Sequence, residues 1–72
     1  MIKIHLSRVL GERRITQAAL AKKTGIRPTT INMYYHEYIK RMNVDDLDIM
    51  CKVLKCRLED LLEFIPDEDE KK

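Results

Sequence analysis

Between Arg27 and Arg41 the chain collects side chains suited to hydrogen bonding along a groove. Thr29, Thr30, Asn32 and His36 donate and accept, Met33 and the threonine methyls offer apolar contact, and Arg27, Lys40 and Arg41 supply positive charge at either end. The major groove of a double helix asks for this chemistry: its base edges present donors, acceptors and thymine methyls, and its width of about 12 Å admits one helix. Spacing matters as much as type. With Ile31 as the inward mark and about 100° per residue, Thr29, Met33 and His36 point to the far side at roughly 160°, 200° and 140°, flanked by Asn32 and Thr30. Tyr34, Tyr35 and Tyr38 turn inward with Ile31, at roughly −60°, +40° and −20°, so core packing is expected of them rather than base stacking.

Charge is distributed to match. Residues 1–43 carry nine Lys/Arg against two acids, a net +7, whereas the remainder carries five against ten, a net −5. Such polarity suits a polyanion partner for the first half and packing or self-association for the second, although a solvated basic face accounts equally for asymmetry taken alone. Gln17 falls in the first turn of the helix before Gly25, where its amide and the unpaired backbone N–H groups can hold a phosphate. Lys22, Lys23, Lys40 and Arg41 would add backbone contacts, which set salt dependence without reading sequence. Any one lysine among them is more often a solvated charge.

These side chains need helices to carry them. Two Gly and two Pro in 72 residues, and no β-branched run with period-2 alternation, favour an all-α fold of five short helices. Leu6, Val9, Leu10 and Arg13 mark the first, ending near Arg14, with Gly11 inside it costing about 1 kcal/mol relative to Ala. Thr16 can cap the second and Gly25 can end it in the left-handed conformation. Pro28 suits the first position of the third. Asn43 can cap a fourth whose apolar stripe is Val44, Leu47, Met50, Cys51 and Leu54, with Asp45, Asp46 and Asp48 beside its positive end. Leu58, Leu61, Leu62 and Ile65 predict a fifth, stopped by Pro66, so the domain spans 1–66 and an acidic disordered tail spans 67–72.

Two helices joined by a turn of about three residues centred on Gly25 make a helix-turn-helix. The string from Thr16 to Ile31, with Thr16-Gln17, Leu20-Ala21, Gly25-Ile26 and Ile31 at their present spacing, resembles the lambda-repressor/Cro-like, or XRE-family, regulators. Leu47, Cys51, Leu54, Cys56 and Leu61-Leu62 fit that family's fourth and fifth helices, so the resemblance covers nearly the whole chain and is nearest to short single-domain bacterial members. It implies base contacts at the positions of Arg27, Pro28, Thr29 and Met33 and a phosphate contact at Gln17. Pro28 offers only apolar contact. Three positions depart from the pattern. Arg27 stands where a capping Ser or Thr is usual, Leu10 and Tyr35 stand where some phage members use an ion pair, and Glu37 stands where Gly is common, which would let the third helix run longer.

The resemblance implies a DNA-binding transcriptional regulator, and the expectation is a repressor reading a pseudo-palindromic double-stranded operator as a homodimer; among the apolar residues of the acidic second half, Phe64 and Ile65 are interface candidates and Leu58, Leu61 and Leu62 are expected to close the core. The competing expectation is a protein-interaction module, an antitoxin or adaptor built on the same fold. No catalytic set, phosphate loop or metal-ligand spacing emerges, so neither an enzyme nor a metal or cofactor is expected, and no segment suggests a small-molecule effector. Nothing approaches the roughly 18 apolar residues of a membrane span and no signal peptide opens the chain, which points to the cytoplasm. Cys51 reads as a buried small hydrophobe, and Cys56 pairs with it only if the helix end permits.

Overall fold

The computed structural model describes residues 1–66. The expected tail at 67–72 lies outside the described residues. In chain order the elements are β1 (Ile2–Ile4), α1 (Leu6–Arg13), α2 (Gln17–Thr24), α3 (Pro28–Tyr35), α4 (Val44–Leu54), α5 (Leu58–Leu61) and β2 (Leu62–Phe64). The fold is thus mainly helical with five helices, plus one feature the sequence pattern did not announce: a two-stranded antiparallel ribbon joining the chain's beginning to the end of the described residues.

Local chemistry explains the helix ends. Thr16 Oγ1 accepts from Ala19 N–H at 3.0 Å, and Asn43 Oδ1 accepts from Asp45 and Asp46 N–H at 2.8 and 3.4 Å, each capping donors that a first turn leaves unpaired. Gly25 closes α2 at φ 80°, the left-handed region glycine enters without cost. Arg14 and Lys55 close α1 and α4 in the same region.

Around these ends one core forms. Leu6, Val9 and Leu10 of α1, Leu20 and Ala21 of α2, Ile31 and Tyr34 of α3, Met50 and Leu54 of α4, Leu61 of α5 and Ile4 of β1 are buried together. Each fully buried aliphatic chain contributes roughly 1.5–3 kcal/mol. Tyr34 brings its hydroxyl into this core with partners: it accepts from Asn43 N–H at 3.2 Å and donates to Asp46 Oδ2 at 3.5 Å, tying α3 to the start of α4. Ile15, Ile26, Ile39 and Met42, none of them on a helical stripe, pack against the core from the loops.

Five expectations give way in the folded chain. The fifth helix stops at Leu61 instead of running to Ile65, because β1 offers Leu62–Phe64 an edge, in the register Ile2↔Phe64, Lys3↔Glu63 and Ile4↔Leu62. Hydrogen bonds from His5 N–H to Leu61 O, Ile65 N–H to Met1 O and the Met1 amine to Ile65 O continue that pairing. Leu62 and Phe64 share a strand face as readily as Leu62 and Leu58 share a helix face, so the pattern was ambiguous. The third helix ends at Tyr35, and Glu37 takes φ 62°, from which its Oε1 accepts from Ile4 N–H at 3.1 Å. Tyr38 is therefore no longer in helical phase and stands 66% exposed. Val44 and Leu58 are likewise exposed rather than in the core, Val44 because it starts α4 outside the layer that Met50 and Leu54 enter.

Two measurements test this account. Gly11 lies inside α1, and a Cβ there would meet nothing within 4 Å, so Gly11→Ala raises unfolding stability by about 0.5–1 kcal/mol in urea titration. Burial, with the Asp46 carboxylate adding to it, lifts the Tyr34 phenol above its ordinary 10.0 despite the opposing Asn43 bond. The folded state thus holds this proton more tightly than the unfolded one, and the contribution to stability is intact below pH 10.0 and lost as pH rises through the folded value. Tyr34→Phe costs about 1 kcal/mol at neutral pH and flattens the alkaline loss; an unchanged alkaline slope would contradict the assignment.

Candidate nucleic-acid interface

The turn between α2 and α3 is built from three side-chain devices. Thr24 Oγ1 donates to Leu20 O at 2.8 Å and accepts from Ile26 N–H at 3.1 Å, Gly25 reverses the chain, and Pro28 starts α3. Arg27 precedes it in extended conformation with no side-chain cap, which leaves its guanidinium outside the helix. Leu20 and Ala21 meet Ile31 and Tyr34 in the core, and so the two helices are locked through one side only.

The free side of α3 then presents the residues expected of it. Ile31 is fully buried while Thr29, Asn32, Met33 and His36 are exposed, Met33 by 41%. Pro28 and Arg27 are exposed at the N-terminal end, and Lys40 and Arg41 in the loop that follows. Thr30 is half-buried on the flank. Gln17, also half-buried, reaches across from the first turn of α2: its Oε1 accepts from Asn32 Nδ2 at 3.4 Å. The bond orients both amides, with the Gln17 nitrogen as the end still able to donate outward. Phe64 and Ile65 belong to a different element, the ribbon, where Phe64 is exposed and Ile65 half-buried.

The ion pairs among the described residues leave this surface uncompensated, along with Arg14 and Lys55 at the ends of α1 and α4. Lys3, His5, Arg8, Arg13, Lys52 and Arg57 sit beside carboxylates at 2.7–4.0 Å. Lys22, Lys23, Arg27, Lys40 and Arg41 enter no ion pair among the described residues. One reason lies in the chain itself: no Asp or Glu occurs between Glu12 and Glu37. A positive potential over α2, α3 and the following loop is left unneutralised. Sequence phase also missed Tyr38, whose exposed ring stacks on His36 with centroids 5.6 Å apart and planes at 23°, extending the polar face past the end of α3.

A capped helix, a glycine turn and a second helix anchored on one side and bare on the other define the class as a helix-turn-helix DNA-binding domain. Residues 5–67 match the Cro/C1-type HTH DNA-binding domain, and the chain belongs to that family, which is a DNA-binding and not an enzyme family. Among relatives, it is similar to the "Uncharacterized HTH-type transcriptional regulator YozG" of Bacillus subtilis (strain 168), 28% identical over 68 residues, covering 94% of this chain and 81% of that one. In fold it is similar to the crystal structure of a candidate DNA-binding protein from Bacteroides fragilis, with TM-score 0.77 and 22% identity over 88% of this chain and 100% of that chain.

Ala21 is the small buried residue of α2 in the core that it shares with α3. Ala21→Phe overpacks that core, costing about 1–3 kcal/mol of stability and displacing α3. Chemical denaturation and duplex binding measured together check this, and the geometry is wrong if both are unchanged.

Proposed function

We propose that this protein is a transcriptional regulator, acting as a repressor, that binds a pseudo-palindromic operator in double-stranded DNA as a two-fold dimer. The observation that carries the reading is the inverted exposure along α3: Ile31 sealed in the core, Thr29 and Met33 bare on the opposite side. Thr29, Thr30, Asn32 and His36 hydrogen-bond to base edges, and Met33, with Pro28, offers apolar contact to thymine methyls. Gln17 donates its amide to a phosphate, and Arg27, Lys40 and Arg41 neutralise neighbouring phosphates, fixing register rather than sequence. Repression by occupancy needs no surface beyond this domain. No helix among the described residues is long and apolar enough to cross a membrane, in keeping with work on DNA in the cytoplasm.

The dimer follows from geometry and an exposed seam. One helix reads few base pairs, whereas two copies about 34 Å apart read successive major grooves. Phe64, 66% exposed, is paired across the ribbon with Ile2, 54% exposed, and both continue the strand face that Ile4 and Leu62 turn toward the core. Ile65 borders them. An apolar face that overruns its own core supports contact with a second copy, and the same face on each partner satisfies two-fold symmetry.

Titration of mixed-sequence duplex DNA at increasing salt tests the whole. With about six phosphates neutralised, log affinity falls against log salt with a slope near −5, and a selected operator binds more tightly than mixed sequence. In the same titration Phe64→Asp lowers affinity for duplexes carrying two half-sites and leaves single half-sites unaffected. Indifference to every duplex, with the fold intact, would instead assign the surface to a protein partner.

A further inference from the structure

The end of α4 brings two thiols together. Helix α4 stops at Leu54, Lys55 takes φ 53° and ψ 49°, and Cys56 N–H donates to Cys51 O at 3.1 Å, with Lys55 N–H directed to the same carbonyl. This is the backbone reversal that ordinarily seats an apolar residue beyond the helix against one in its last turn. Here both seats are cysteine. A hydrogen bond of that length leaves the two Cα atoms no more than about 7 Å apart, which is the outer limit for bridging. The turn is held independently of sulfur: the Arg13 guanidinium donates to Leu54 O at 2.9 Å and to Lys55 O at 3.4 Å. Both thiols are free and half-buried. Burial, and after it the adjoining Cys51 sulfur, push the Cys56 thiol above its ordinary 9.0, as expected of two sulfurs in close company.

We propose that Cys51 and Cys56 form a paired modification site that low-molecular-weight disulfides close to an intramolecular disulfide. One cysteine, as thiolate, attacks a sulfur of the small disulfide, forming a mixed disulfide and releasing one small thiol. The second cysteine gives up its proton, attacks the protein sulfur of that mixed disulfide and releases the second small thiol. Two protein thiols are oxidised to one disulfide and one small disulfide is reduced to two thiols. The resulting ring ties the last turn of α4 to the segment leading into α5 and β2, the strand that carries Phe64.

Oxidised glutathione and the intact chain provide the test. The expected product has lost both titratable thiols, is lighter by two hydrogens and carries no adduct. After trypsin, which cleaves at Lys52 and Lys55 between the cysteines, residues 42–52 remain joined to residues 56–57. Cys51→Ser, which lacks the resolving thiol, instead keeps a stable glutathione adduct at Cys56. Ring closure in the folded chain is about tenfold faster than in urea, since the turn raises the effective concentration of the second thiol, and it goes on accelerating above pH 9.0, because the Cys56 thiol is raised beyond that value. Persistent double adducts on the wild type, disulfide-linked dimers, or equal closure rates with and without urea would each overturn the proposal.

Discussion

Everything about the interface depends on α3 being anchored from one side. Ile31 and Tyr34 are its two fully buried side chains, one turn apart, with Tyr35 half-buried against the same core. Two buried residues on an eight-residue helix hold it by tertiary packing, since a helix of that length is not stable alone. Because the anchor is that narrow, the remaining circumference is free for Thr29, Asn32, Met33 and His36. Ala21 of α2 is buried in the same core, and Thr24 and Gly25 turn the chain between the two helices.

Tyr34 extends the anchor to the basic loop. Its hydroxyl holds Asn43 N–H, and Asn43 in turn caps α4, so residues 36–42 are pinned at both ends without burying their charges. Ile39 and Met42 pack inward while Lys40 and Arg41 stay in solvent. The loop's position is thus set by apolar and hydrogen-bonding contacts, and its cations remain unspent. Paired and unpaired charges separate accordingly. Carboxylates in α1, α4, α5, β2 and at Glu37 neutralise cations nearby, whereas Lys22, Lys23, Arg27, Lys40 and Arg41 meet solvent unpaired among the described residues.

The ribbon closes the other side of the molecule. Pairing β1 with β2 places Ile4 in the core and sets His5, whose ring nitrogen lies 2.7 Å from Glu63, at the start of α1. Glu37 accepts a left-handed backbone, ordinarily costly for a residue with a Cβ, and its carboxylate gives Ile4 N–H an acceptor. The position that favours glycine for conformation is used here for a contact between the end of the α3 region and the N-terminal strand.

Most of the helical frame was written locally. Thr16, Gly25, Pro28 and Asn43 act within a few residues of themselves, and the phase of α3 follows from Ile31 by geometry alone, so the exposed face of α3 was legible before any coordinates. The polarity of charge was legible for the same reason, being a property of composition along the chain. Tertiary structure decided what depends on residues distant in sequence. Leu62–Phe64 became a strand because Ile2–Ile4 lay beside it, Tyr38 turned outward because the chain left helical geometry at His36, and Cys56 met Cys51 because Lys55 reversed the backbone. Periodicity states which residues share a face while an element lasts; where the element ends is settled by which partners its backbone finds.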